Sequence, residues 1–138
     1  LRLWAVEVSI MKTLRGIATL AVASTIAWAS AQAHHGASVA YDLSQHMTLT
    51  GHVTDFQFVN PHVLIFFEVS NEDGTKTVWS AGLTSPNRLA RSDGWRKDMF
   101  KPGDTVTITG SPARGGAPSL WVEAVLDGQG KPLLSGAE

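Results

Sequence analysis

Of the residues in this 138-residue chain, the five histidines are best suited to chemistry, and His34 and His35 stand together directly after Ala31-Gln32-Ala33. If the chain is cut after Ala33, His34 carries a free α-amine beside its imidazole. That pair chelates one metal ion, and His35 adds a second imidazole and an amide nitrogen. An α-amine titrates near ~7.7 and an imidazole near ~6.5, so both are available as neutral ligands around neutral pH. Nitrogen donors in a near-planar set suit Cu(II) best, with Ni(II) and Zn(II) behind it, so copper is the expected cofactor if there is one. His62, after the Asn60-Pro61 corner, is a third candidate ligand if the lead-in folds back over the second strand. The opposing reading is plain: a His-His pair in an exported tail can do nothing, and a His after Asn-Pro commonly bonds backbone at a corner. His46 and His52 read as exposed strand residues without a role.

The cut after Ala33 has its own support. From Met11 the sequence runs MKTLRG, then the 13 uncharged residues Ile17–Ala29, then Ala31-Gln32-Ala33. A basic start, a short apolar stretch and a small-x-small end make up a secretory signal peptide. A membrane span needs about 20 apolar residues, and this stretch is shorter. Residues 11–33 are therefore expected to be a signal peptide, residues 1–10 a misassigned start, and 34–138 a single mature domain. The whole chain has a net charge of −1 and no cysteine. The mature part carries 8 basic and 11 acidic residues, net −3. A mildly acidic, cysteine-free exported chain excludes a disulfide framework and a thiol nucleophile, and it argues against nucleic acid as a partner.

The mature domain shows the period of strands. Met47, Leu49, Gly51 and Val53 alternate with polar residues, and the phase then flips so that Phe56 and Phe58 become the apolar positions. One extra residue near Thr54–Asp55 produces such a flip and bends the strand. His62–Val69 forms a second strand, Asn71-Glu72-Asp73-Gly74 a hairpin turn, and Thr77–Leu83 a third strand. Ser85-Pro86 opens a short helix that stops near Gly94. Lys101-Pro102-Gly103-Asp104 launches a fourth strand, Thr105–Gly110, and Ser119–Leu126 makes the fifth. Leu133-Leu134 is expected to add a short closing strand. Five strands with one short helix between the third and fourth is the order of an OB-like Greek-key barrel, with a plain sandwich as the rival.

Such a fold offers a second candidate site. OB-folds bind ligands across strands two and three, where Leu64, Phe66 and Trp79 are expected to form an aromatic ligand face with Trp121 nearby. Sugars, peptides and bases all stack on such a face, although simple packing under the lead-in or helix explains the same residues. Arg88, Arg91, Arg96, Lys97 and Lys101 hold five of the eight mature positive charges. They suit a phosphate, a carboxylate polymer or an anionic membrane surface, but read first as a solvated helix face partly paired with Asp93 and Asp98. No GxSxG, HExxH or P-loop motif occurs.

The ordered motifs resemble a family of small exported bacterial proteins of unknown function. They are His34-His35-Gly36, Tyr41-Asp42, Thr48–Gly51, Asn60-Pro61-His62, Ser85-Pro86-Asn87, Gly94-Trp95 and Lys101–Asp104. They run through about residues 34–134. The step Arg91–Trp95 is one departure, longer than the family's Arg-Gly-Trp. The resemblance implies export and a small β-barrel, and it brings no activity, cofactor or substrate.

The expected molecule is a periplasmic or secreted, non-enzymatic binding protein. In the first reading it is a monomer that holds copper through His34, His35 and His62. In the second it is metal-free and binds an envelope glycan, peptide or partner protein. An oxidative copper enzyme ranks last.

Overall fold

The computed structural model describes residues 36–135. After a five-residue helix, α1 (Gly36–Ala40), come β1 (Met47–Gln57), β2 (Leu64–Ser70), β3 (Lys76–Gly82), α2 (Pro86–Ser92), β4 (Thr105–Pro112) and β5 (Ser119–Leu126). The strands close into a barrel in the order β1-β2-β3-β5-β4, with β4 returning to β1. That order, with the helix between β3 and β4, is the OB-fold expected from the strand count.

The 11-residue β1 serves two neighbours. Met47–His52 pair with β4, and His52–Gln57 pair with β2. One strand can do both only by bending. The register with β2 slips between Val53 and Asp55, placing the bulge at Thr54 where the apolar phase flips. Gly51 eases the same bend: a Cβ there would collide with the carbonyl oxygen of Glu68 on β2. Hairpin β2–β3 turns at Gly74 with φ 83°, a conformation that glycine adopts freely.

Inside lie Val53, Ile65, Phe67, Val106, Ile108, Leu120 and Val125, each 2% exposed or less. Trp95 lies fully inside at one end, edge-on to Phe100 with ring centroids 5.6 Å apart, and Phe56 packs against both. Its Nε1 donates to the Leu133 carbonyl at 2.6 Å, so the plug also tethers the C-terminal segment. Helix α2 buries Pro86 and Leu89, ends at Ser92 and turns away at Gly94, φ 71°. The longer Arg91–Trp95 step thus supplies the helix end and its left-handed exit.

Some boundaries differ from those expected. The second strand starts at Leu64 because cis Asn60–Pro61 and His62 belong to the corner before it. The fourth strand runs on to Pro112, where Asp42 donates its backbone N–H to the Pro112 carbonyl. Leu133-Leu134 forms no strand; a single bridge joins Leu126 to Pro132, and the Trp95 tether holds the chain at Leu133.

Gly51→Ala is expected to lower unfolding stability by about 1–3 kcal/mol through overpacking against Glu68. Gly115→Ala, where an added Cβ meets nothing within 4 Å, should stay within about 0.5 kcal/mol. Urea unfolding followed by circular dichroism measures both.

A candidate ligand face around Trp121

His34 and His35 lie outside the described residues. His62 sits at the corner before β2, where Nδ1 donates to the Leu83 carbonyl at 3.1 Å. That bond puts the ring proton on Nδ1 and leaves the Nε2 lone pair uncommitted, the tautomer that a metal-bound imidazole adopts. Among the described residues, no group of three His, Asp or Glu side chains is placed to hold a metal ion.

The expected Leu64/Phe66/Trp79 face is split by the register. Phe67 stands opposite Trp79, and Phe67 is wholly inside, so Trp79 lies on the core side of the sheet and packs against the core. Leu64 and Phe66 point outward, opposite Gly82 and Ser80. The outward aromatic is instead Trp121. The barrel closes where β3 meets β5 in only three parallel pairs: Ser80–Ser119, Ala81–Leu120 and Gly82–Trp121. The indole lies across Gly82, where a Cβ would stand 3.5 Å from Trp121 Cε3. A glycine at a strand position that calls for a side chain was the available signal for this close approach.

Two further rings flank the indole. His62 stands edge-on at 5.5 Å and Tyr41 lies tilted at 5.9 Å. Tyr41 also shares a hydrogen bond with Ser119 Oγ at 3.0 Å. The lead-in holds Tyr41 there: Arg114 donates from Nε to the Ser38 carbonyl and pairs with Asp42 at 3.7 Å.

Beside Trp121 opens a cleft of about 380 Å³ between α2, β5 and the C-terminal segment, and Thr84, Arg88, Asp93 and Glu123 line it. Its carboxylates are already engaged. Glu123 accepts from Ser111 Oγ at 2.7 Å and from His46 Nδ1 at 2.8 Å. Asp93 accepts from Ser92 and from the amide and hydroxyl of Ser135. In the basic cluster Arg96 meets Asp98 at 3.6 Å. Arg88, Arg91, Lys97 and Lys101 form no ion pair of that kind among the described residues.

Residues 20–120 match the profile of the family of unknown function DUF6152, and the chain belongs to that family. The resemblance read from the ordered motifs is borne out. No curated protein matches the chain. Among solved structures, it is similar to the mitochondrial single-stranded DNA binding protein Rim1 of S. cerevisiae, at 12% identity and TM-score 0.46. That match covers 60% of this chain and 92% of the other. It is also similar to the N-terminal domain of PriB from Thermoanaerobacter tencongensis, at 20% identity and TM-score 0.44, covering 61% and 96%.

Burial raises the Asp93 pKa, but the Ser135 and Ser92 hydroxyls, the Ser135 amide and nearby Arg88 outweigh it and hold the carboxyl below its ordinary 3.8. A depressed carboxyl contributes stability above its unfolded pKa and loses it as pH falls through the folded value. The Ser135 amide resonance should therefore move only at a pH below that at which an ordinary aspartate, pKa 3.8, titrates. Asp93→Asn should abolish that titration; a Ser135 amide that moves above pH 5 would contradict the clamp.

Proposed function

We propose that this member of DUF6152 is an exported, non-enzymatic binding protein whose ligand surface is the outer face of β2, β3 and β5, centred on Trp121. The observation that carries the reading is the half-buried indole laid over Gly82 at the seam, with Leu64 on the neighbouring strand and polar Thr84 and Glu123 beside it. A flat apolar ring bordered by a few fixed hydrogen-bonding groups suits a sugar ring or a peptide side chain. The small residues Ser80 and Gly82 keep the floor low, and Tyr41 and His62 limit the indole's movement. Export rests on the basic start, apolar stretch and small-x-small end of residues 11–33. Among the described residues, no helix is long and apolar enough to cross a membrane.

The face is tested by titrating the mature chain with a neutral N-acetylglucosamine trimer, a tripeptide and a single-stranded oligonucleotide, using tryptophan emission and calorimetry. Saturable binding of the sugar or the peptide is expected, weakened about tenfold by Trp121→Ala. Tight binding of the oligonucleotide alone would overturn the reading, as would failure of all three ligands.

A second reading keeps the amino-terminal metal site, in which the His34 amine and imidazole with the His35 imidazole bind copper. It is favoured by the placement of the pair at the expected cleavage point. The mature chain should then begin at His34 by mass spectrometry. Copper affinity should fall at least tenfold in His34→Ala and in His35→Ala; unchanged affinity would remove the site.

A further inference from the structure

Arg88 is the one cation among the side chains lining the cleft beside Trp121, and its guanidinium has neither a hydrogen-bond nor a salt-bridge partner among the described residues. It also lines a second groove, of about 480 Å³, with Ser85, Asn87, Arg91 and Ser92. The two depressions therefore adjoin at Arg88. Arg91 lies three residues on, which places both guanidiniums on neighbouring positions of the exposed side of α2. Asp93 attracts Arg88 through space, but among the described residues no carboxylate oxygen lies within 4 Å of either guanidinium, and the hydrogen bonds of Asp93 and Glu123 go to Ser92 and Ser135 and to Ser111 and His46.

The combination is specific in its chemistry. A planar aromatic wall takes the apolar face of a ring, and the Thr84 hydroxyl and the outer lone pairs of Glu123 meet hydroxyl groups. An unpaired guanidinium fork takes a carboxylate through two parallel N–H···O bonds. The second guanidinium lies where a chain that runs out of the cleft would present its next anionic group.

We propose that this site binds a carboxylated, uronate-type oligosaccharide. The ring stacks on Trp121, one carboxylate is held by Arg88, and the following one is drawn to Arg91. This rests on the reading of the Trp121 face as a ligand surface and names its ligand class. The carboxylate, rather than the ring alone, sets the affinity, and binding weakens with added salt.

The test uses the mature chain with trigalacturonate and its fully methyl-esterified form, which keeps the rings and removes the charge. The acid should bind at least tenfold more tightly than the ester. Arg88→Gln should remove most of the difference with the circular dichroism of the folded chain retained, and Arg91→Gln should reduce it in part. Thr84→Val, which leaves both guanidiniums in place, should weaken acid and ester alike. Equal binding of acid and ester in the wild type overturns the carboxylate assignment and leaves the Trp121 face standing. Failure of both overturns it as well. The ligand-surface reading falls with it only if the neutral trimer and the peptide also fail to bind.

Discussion

The closure of the barrel at the β3–β5 seam is the constraint on which the rest depends. Four of the five strand contacts are antiparallel ladders, but the last is three residues of parallel pairing, Ser80–Gly82 against Ser119–Trp121. So short a ladder contributes few hydrogen bonds, and the side chains around it must supply the remaining cohesion. Leu120 and Ala81 do so on the inside, both fully buried. On the outside the work falls to Trp121, which spans the seam by lying over Gly82 and is braced by Tyr41 and His62. The outward indole is held there because the barrel needs a cover at its shortest ladder.

The same constraint explains the lead-in. Tyr41 braces Trp121 over Gly82 through ring contact and the shared bond to Ser119. Arg114, in the β4–β5 connection, grips Ser38 and Asp42 and so draws the lead-in against the same loop. A second closure is the Trp95 plug, a large side chain withdrawn from water and hydrogen-bonded through its only donor. A chain without cysteine holds its shape through such apolar closures rather than through cross-links.

Much of this was legible in the sequence because it depends on local periodicity. The phase flip after Val53 marked the bulge, Asp73-Gly74 marked the hairpin, and Ser85-Pro86 marked the helix start, since each depends on neighbours in the chain. The candidate face was legible only in part. Leu64 and Phe66 could be put on one side of β2, but the side taken by Trp79 depends on register across the hairpin. A shift of one residue moves every side chain to the other face. The pairing of Phe67 with Trp79 settles it inward. The cleft brings together Arg88 from a helix, Glu123 from β5 and Ser135 beyond it, and no spacing rule links residues so far apart. The seam itself left one trace, the run of small residues Ser80, Ala81 and Gly82 that ends β3.

The ionisable groups around Trp121 stand in an order that bears on what the surface does. In a nucleophilic relay the imidazole stands between hydroxyl and carboxylate, so that the ring takes the hydroxyl proton. Here Glu123 stands between Ser111 and His46, and it accepts from both. The Ser111 proton is therefore directed at a carboxylate, and the hydroxyl itself is wholly buried. The effect of this arrangement is to fix Glu123: Oε1 is tied to Ser111 on the strand beside it, and both oxygens lie within reach of His46 Nδ1, which leads into β1. A carboxylate fixed in that way, next to a braced indole and across a cleft from an unpaired guanidinium, presents a rigid set of acceptors and donors. Rigidity of that kind lowers the ordering cost of holding a polar ring, and it arises from the same contacts that keep the seam shut.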